Sequence, residues 1–505
     1  MAAAVLVGGG AFAAASLLGG DSDHGPQAAE ALPADTFAYV GLDLSDAQDA
    51  IATLIKFPAI RDGLDLSSGD DPRQKIVESM LTDDNSCGLT WADDFEPWLG
   101  NRFGFAGVEV GDTPTPVGVV QVTDDSAAEK ALEKFSSCDG DTDEGGFAVS
   151  DGWALIGENQ SDIDQISDQA GDGTLADDSD FKSWTGEVGD QGIATAYAAP
   201  SAAKLLTKVI EEHPEMFEDG SSDFSGYDDY ANPLAQICPG LDDPSASAQY
   251  YTDELKDFAG AAATLRFSDG GAELEAASDL GQTSSVTDEA GALVASLPDD
   301  TGAALGLSPG KGWFESALGS FGAVCGDGFD AGQIEDQLTS LTGIDFPEDI
   351  DTLFGDGLAL SVSGDFDPSS ITGPASIPAA IKIKGDPDAI KSVLDKISNR
   401  LGSTYGLLDT DSDSDNVVIG PSSSYRQSVL GDGGLGNNAT FRNVVPDADK
   451  ASAVLFINFN SFDKLVDSFG DSEASENFHV LDGLGVSTWL DGTTQHTFVR
   501  ISTDD

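Results

Sequence analysis

Basic residues are scarce in this sequence, and their scarcity argues against one large class of function. The 505 residues include 23 lysines and arginines against 90 aspartates and glutamates, a formal net charge of −67. Such a surface repels phosphate backbones and anionic lipid headgroups. The chain is therefore predicted not to bind nucleic acid. We interpret its acidic surface as a solvated, solubilising layer.

Cysteine and histidine are also scarce. The four cysteines form no CxxC pair, which excludes zinc-ribbon and thioredoxin-like sites. An even number in an exported chain predicts two disulfides with three connectivities, and spacing favours Cys87 with Cys138 and Cys238 with Cys325. The four histidines show neither HExxH nor His-x-His spacing, so no metal or cofactor is predicted.

Charged residues are missing from the first twenty positions, MAAAVLVGGGAFAAASLLGG. Twenty apolar or small residues can span a bilayer, whereas a secretory signal normally begins with basic residues. We expect 1–20 to be a transmembrane anchor whose cytoplasmic tail is missing from the sequence, with 21–30 as a stalk. A cleaved signal peptide and a buried core helix are the alternatives. The predicted location is the cell membrane, single-pass and with the bulk extracytoplasmic; secretion is the alternative.

What the sequence does contain is a repeat. LPADTFAYVGLDL, which starts at Leu32, recurs as LPDDTGAALGLSP from Leu297, and GLTWADDFEPWLG recurs without a gap as GIDFPEDIDTLFG. GDGTLADDSDFK likewise matches GDGGLGNNATFR, and weaker blocks lie between these in the same order. Two homologous halves are therefore predicted, at 31–285 and 292–505, with an acidic insertion near 205–255 in the first.

The spacing of apolar residues within these blocks predicts an α+β fold for each half. VVQVTDDSAAEKALEKF and AIKIKGDPDAIKSVLDKI each indicate a strand, a turn and an amphipathic helix. Each half closes with a hairpin on an Asp-Gly turn. Pure βαβ alternation is missing, so we expect a mainly antiparallel or mixed sheet with helices packed on one face.

The repeated blocks also carry a resemblance to a known family. LPADTFAYVGLDL, CGLTWADDFEPWLG around Cys87, and TLADDSDFK resemble the actinobacterial membrane-anchored proteins called domain of unknown function 3352, over nearly the whole chain after residue 30. The resemblance implies a short cytoplasmic tail, one membrane span and a large external portion. This sequence departs from that pattern by starting at the span. The family brings no established activity, cofactor or catalytic residue.

The segment GLSPG around Ser308 matches the GxSxG pattern of a nucleophile elbow, a turn between a strand and a helix. A serine hydrolase would need His213, His479 or His496 within hydrogen-bonding reach of Ser308. Against this, Pro309 has no N–H to offer an oxyanion hole, and an aspartate occupies the corresponding place in the first half. A strand-to-helix turn is the favoured interpretation, and no catalytic residue is predicted.

Two acidic ladders, DGDTDEGG from Asp139 and DTDSDSDN from Asp409, resemble calcium-binding loops. An EF-hand loop needs Gly at its sixth position and Glu at its twelfth, and neither ladder has them. A solvated turn is favoured, with weak calcium binding as the alternative. The repeated Phe-Lys and Phe-Arg pairs at 181–182 and 441–442 are predicted to place the ring in the core and the cation in solvent.

These observations favour a non-catalytic role at the cell envelope. The leading hypothesis is an extracytoplasmic binding or scaffold protein whose partner is another envelope protein. A carrier of a lipid-like or apolar small ligand, held in a groove between or within the halves, is the alternative. A serine hydrolase using Ser308 is a distant third.

Overall fold

The structure is a computed structural model that covers most of the chain after the N-terminal segment. The described residues are 27–504 without 46, 58–60, 62–66, 68, 81–87, 112, 137–144, 213–251, 253–254, 269, 280–285, 326–328, 365–366, 402–405, 432 and 469–471. The predicted transmembrane segment and the first acidic ladder therefore lie outside the described residues. The chain divides into two compact units, Met1–Leu205 with Phe258–Asp279, and Leu206–Asp257 with Leu280–Asp505.

Antiparallel strands form the sheet of the first unit. They are β1 (Ala38–Asp43), β2 (Leu99–Val110), β3 (Thr113–Val122), β4 (Gly146–Ser150), β5 (Trp153–Gly157), β6 (Ala194–Ala198), β7 (Gly260–Ser268) and β8 (Gly271–Asp279). Their spatial order is β8-β7-β6-β1-β2-β3-β5-β4, and each neighbouring pair is antiparallel. The first strand of the chain thus lies in the middle of this sheet.

The second unit repeats this arrangement. Its strands are β9 (Thr301–Leu307), β10 (Gly357–Ser363), β11 (Ala379–Lys384), β12 (Thr410–Ser412), β13 (Asn416–Ile419), β14 (Ala453–Asn458), β15 (Leu481–Asp491) and β16 (Thr494–Thr503). Their order is β16-β15-β14-β9-β10-β11-β13-β12, and again each neighbouring pair is antiparallel. Counted from the first strand of each unit, both sheets follow the order 8-7-6-1-2-3-5-4.

Helices connect these strands. The α-helices are α1 (Ala47–Leu54), α2 (Pro72–Met80), α3 (Asp125–Ser136), α4 (Gln160–Asp172), α5 (Ser179–Glu187), α6 (Ala202–Glu212), α7 (Glu289–Ala295), α8 (Trp313–Cys325), α9 (Ala331–Thr342), α10 (Glu348–Phe354), α11 (Pro387–Leu401), α12 (Ser423–Leu430), α13 (Ala439–Val444), α14 (Asp463–Ser468) and α15 (Ser472–Phe478). A short π-helix covers Trp91–Phe95. None of the helices in the described ranges is long and apolar enough to cross a bilayer.

The predicted α+β class is confirmed, and so are the closing hairpins. Strand β7 pairs with β8 up to Ser268 opposite Gly271, and β15 pairs with β16 up to Asp491 opposite Thr494. In the second hairpin Gly492 has a φ of 64°. That conformation costs little for glycine and is strained for most other residues, which explains the Asp-Gly sequence at the turn.

The prediction that helices pack on one face only is wrong. In the first unit Trp153 and Leu155 of β5 are buried in a cluster that includes residues of α4 and α5. Their neighbour Ala154 belongs to a separate cluster formed with residues of α1, α2 and α3. Successive residues of a strand point to opposite faces of a sheet, so both faces are covered. Uninterrupted apolar runs such as WALI carried this signal, because strands covered on both faces do not alternate.

The second unit shows the same two-sided burial. Val418 of β13 joins a cluster with residues of α7, α12 and α13, whereas Val417 and Ile419 join another with residues of α11. On the first of these faces Phe441 is 2% exposed. Its ring meets Phe456 edge-on, with ring centroids 5.2 Å apart. The first unit has an equivalent contact between Phe181 and Tyr197 at 5.1 Å.

Phe441→Ala should destabilise the second unit strongly. The change removes a fully buried ring and leaves a cavity, which typically costs about 3–5 kcal/mol. Leu341→Ala is the matched control, since Leu341 is 69% exposed and its loss should cost little. Chemical denaturation followed by circular dichroism measures both. Equal losses of unfolding free energy in the two variants would contradict the burial of Phe441.

Candidate functional site

An aspartate just before the second strand of each unit is held by a lysine from a later helix. In the first unit this is Asp94, in the π-helix that precedes β2. The backbone N–H of Thr90 donates to Asp94 Oδ2 at 2.8 Å. The Nζ of Lys134, on α3, donates to Asp94 Oδ1 at 2.7 Å. The short helix is thereby tied to α3.

The second unit contains the same contacts at corresponding positions. The backbone N–H of Asp345 donates to Asp349 Oδ2 at 2.7 Å. Lys396, on α11, places its Nζ 2.6 Å from Asp349 and 3.0 Å from the Asp345 carboxylate. In the repeat, Asp94 corresponds to Asp349. We call Asp94–Lys134 and Asp349–Lys396 the two Asp–Lys pairs.

The electrostatics of these pairs favour the charged forms of Asp94 and Lys396. Partial burial raises the pKa of Asp94, but hydrogen bonds from Lys134 and Thr90 and the lysine's charge outweigh that effect and hold the pKa below its usual range. In the second unit, hydrogen bonds to Asp349 and Asp345 raise the pKa of Lys396. Each pair links two helices.

An apolar cavity lies beside the Asp–Lys pair of the first unit. It has a volume of about 210 Å³ and lies between the sheet and helices α2 and α3. Phe95 and Phe135, which directly follow Asp94 and Lys134 in the sequence, both line it. Further lining residues are Leu42, Ile76, Trp98, Phe103, Leu132 and Ile156. We call this space the first cavity.

A second cavity occupies the corresponding place in the second unit. Its volume is about 370 Å³, and it lies between the sheet and helices α10 and α11. Leu394, two residues before Lys396, lines it just as Leu132, two residues before Lys134, lines the first cavity. Strand residues Leu358 and Ile381 also line the second cavity. The described residues that line these two cavities include no ionisable side chain.

The structure places Ser308 in a buried turn. The residue is 1% exposed. Its Oγ lies 2.5 Å from the carbonyl oxygen of Thr287 and 3.1 Å from that of Ser452, and it accepts the N–H of Ala290 at 3.2 Å. These backbone partners fix the strand-to-helix turn, as the favoured interpretation required. Among the described residues, no histidine is a hydrogen-bond partner of this hydroxyl.

The described histidines have other partners. His479 Nδ1 lies 2.9 Å from Asp463 and Nε2 3.1 Å from Asp467, at the surface. These carboxylates, with the hydrogen bond to Asp467 contributing most, raise the pKa of His479. His496 is buried and stacks on the Trp489 ring with centroids 5.0 Å apart. His213 lies outside the described residues.

Of the four cysteines, the structure describes Cys325. Cys325 is buried and disulfide-bonded. The other cysteines, Cys87, Cys138 and Cys238, lie outside the described residues, so the pairing stays a prediction.

The second acidic ladder has internal partners. The carboxylate of Asp411 accepts a hydrogen bond from Arg426 Nε at 2.8 Å. Asp413 accepts the N–H groups of Asp415 and Asn416, both at 2.8 Å, and so closes the turn between β12 and β13. Within the described ranges no three acidic, histidine or cysteine side chains converge on a position that could hold a metal ion.

The Phe-Lys and Phe-Arg repeats behave as predicted. Phe181 is 6% exposed and Phe441 2% exposed, so both rings are core residues. Lys182 is exposed at the surface, where its Nζ lies 3.4 Å from Asp177. Arg442 is exposed as well.

Sequence reasoning missed the cavities and the lysines of the Asp–Lys pairs. The signal was present, because the blocks that contain Lys134 and Lys396 align and each lysine follows a buried leucine at the same interval. A cation that recurs in both units of so acidic a chain should have been matched to a recurring carboxylate. The cavities had no such signal, since lining residues and core residues have the same composition.

Comparisons of the chain with protein-family models, with curated proteins and with solved structures give no match. The resemblance to the domain of unknown function 3352 family therefore stays a prediction.

Lys134→Met should weaken the first unit by about 0.5–1 kcal/mol at neutral pH, because the lysine is partly exposed and solvent screens the pair. The pKa of Asp94 is lowered in the folded state. Its contribution is therefore present above the unfolded value, about 3.9, and lost as the pH falls through the folded value. Chemical denaturation of wild type and variant at several pH values measures this effect. Their free energies of unfolding should become equal in acid.

Lys182→Met is the matched control, because its partner Asp177 is well exposed and the pair is longer, at 3.4 Å. It should lose little stability at any pH. If Lys134→Met remains less stable than wild type in strong acid, the lysine acts through its packed hydrocarbon stem rather than its charge.

Proposed function

We propose that this protein binds an apolar, lipid-like small ligand and does not act on it chemically. The observation that carries the proposal is the occurrence of two apolar cavities at corresponding places, each beside an Asp–Lys pair. Apolar walls bind by removing apolar surface from water. The described lining residues of these two cavities supply neither a nucleophile nor a proton donor, which supports a non-catalytic role.

The cavities support the carrier hypothesis over the scaffold hypothesis. A scaffold needs no apolar recess in its surface. Phe135 in the first cavity and Leu360 in the second are 40% and 41% exposed, so both cavities open to solvent and a ligand can enter them. Apolar space that recurs in both units is best explained by a ligand that fills it.

We also propose that the two units are homologous halves that arose by duplication. Besides the strand order, individual hydrogen bonds recur. The N–H of Leu175 donates to the carbonyl oxygen of Leu32 at 2.8 Å, and that of Leu435 donates to Leu297 at 3.0 Å. These residues occupy matching positions in two different repeated blocks. Agreement between blocks far apart in sequence supports common ancestry more strongly than either block alone.

The location we propose is the cell membrane, with residues 1–20 as the anchor and the bulk outside the cytoplasm. The uncharged apolar run supports the anchor. The disulfide at Cys325 supports an oxidising compartment, where such bonds persist. A protein in this place would meet lipid-like molecules directly, which fits the proposed ligand class.

Gly118→Leu tests the binding site of the first unit. Gly118 lines the first cavity, and a Cβ built there meets nothing closer than 3.7 Å, so the added side chain can enter the cavity. We expect wild type to bind the neutral fluorophore N-phenyl-1-naphthylamine saturably. The variant should lose one of the saturable sites in a fluorescence titration of the full chain.

Gly186→Leu is the control, because a Cβ at Gly186 meets no atom within 4 Å and lies outside the lining of the first cavity. Native mass spectrometry of the chain from its natural source gives an independent test, since a bound lipid adds a reproducible mass. Wild type that binds no fluorophore, together with a bare native mass, would overturn the proposal.

A further inference from the structure

A third cavity lies in the second unit, on the same side of its sheet as the second. It has a volume of about 300 Å³. Leu307, which lines it, pairs directly with Leu358, which lines the second cavity. Directly paired residues of antiparallel strands project to the same face. The two cavities are therefore neighbours on one surface of the sheet.

The linings of these neighbours share one residue. Phe354, the last residue of α10, lines both the second and the third cavity. Its ring contacts Trp313, with centroids 4.5 Å apart. Aromatic side chains move by rotation about two bonds, so a change at this single residue can join the two spaces.

A straight row of paired residues passes under both cavities. The row consists of Ile383, Leu358, Leu307, Ala453 and Thr488, one from each of five adjacent strands. At about 4.8 Å between neighbouring strands, the row is about 19 Å long. A ligand that fills both cavities must accordingly be elongated.

The first unit has no counterpart to this length among its described residues. Leu99, not a phenylalanine, occupies the position that corresponds to Phe354, and it is 3% exposed. The matching sheet residues Leu42 and Leu265 pack against the cluster that contains Ile51 and Leu54 of α1. Helix α1 belongs to the cluster that covers these positions, and the first cavity extends only as far as Leu42.

The lining of the two joined cavities defines the chemistry of the ligand. The described lining residues include no ionisable side chain, so a charged group would be desolvated there without a partner. Polar residues nevertheless occur in the lining of the third cavity. The Nε1–H of Trp313 is buried and has no hydrogen-bond partner among the described residues. Gln495 adds an exposed amide at the same cavity.

We propose that the second and third cavities form one site for a neutral single-chain lipid. This inference rests on the proposed function and specifies its ligand class. The apolar chain lies along the row of paired residues and passes Phe354 into the second cavity. The polar end, a neutral ester or alcohol, lies in the third cavity, where its oxygen accepts the Trp313 N–H. Phe354 sets how long a chain the site holds.

Methyl esters of fatty acids with 8 to 18 carbons test the length of the site, by competition with N-phenyl-1-naphthylamine on the full chain. Phe354→Ala should raise the affinity for the longest ester relative to the shortest by about tenfold, because the ring no longer has to be displaced. Phe354→Leu is the second variant, for use if Phe354→Ala folds poorly. It introduces the residue type found at Leu99 and should change the ratio in the same direction. Leu341→Ala, at an exposed position that lines none of these cavities, should leave the ratio unchanged.

Trp313→Phe tests the polar end. Loss of one hydrogen bond should weaken a methyl ester about threefold to tenfold, while an alkane of equal length should bind as before. If the Phe354 variants bind the esters with the same dependence on chain length as wild type, this inference is wrong. The Gly118→Leu result would not be affected. If wild type binds neither the fluorophore nor the esters, both this inference and the proposed function are wrong.

Discussion

Each unit depends on a sheet whose strands are apolar on both sides. Residues such as Trp153 and Ala154 are adjacent in β5 yet belong to separate clusters. A sheet of this kind is stable only when helices cover both of its faces. The connections between strands must therefore place helices on alternate sides. The two cavities beside the Asp–Lys pairs each lie on one of these sides.

The excess of acidic residues makes the placement of the few cations informative. Arg102 contacts Asp43 at 2.8 Å with both side chains largely buried, and Arg426 contacts Asp411 at 2.8 Å. The Asp–Lys pairs follow the same rule. A carboxylate near the core needs a partner, because desolvation of an unpaired charge is costly. These four cations pair with carboxylates at or near the core, whereas others such as Lys182 and Arg442 lie in solvent.

Local signals in the sequence predicted a good part of this structure. The Asp-Gly turn at Gly492, the buried rings at Phe181 and Phe441, and the turn at Ser308 all depend on neighbours in sequence or on simple periodicity. The two-sided coverage was missed because apolar runs were interpreted by alternation alone. The cavities could not be predicted, since whether Phe354 fills a space or borders one depends on the position of a helix distant in sequence.

The connection after the first strand explains why the two units differ in internal space. In the first unit α1 starts at Ala47, and Ala47 and Ala50 are 3% and 0% exposed. Such small residues let a helix approach a sheet closely and fill the space beneath it. In the second unit the sequence Pro-Gly-Lys-Gly follows Ser308, and α8 begins later, at Trp313. The first residue of α8, Trp313, lines the third cavity. The first unit is therefore closely packed at this place, and the second unit keeps open volume. This difference is what the chain requires if its second unit holds the longer ligand.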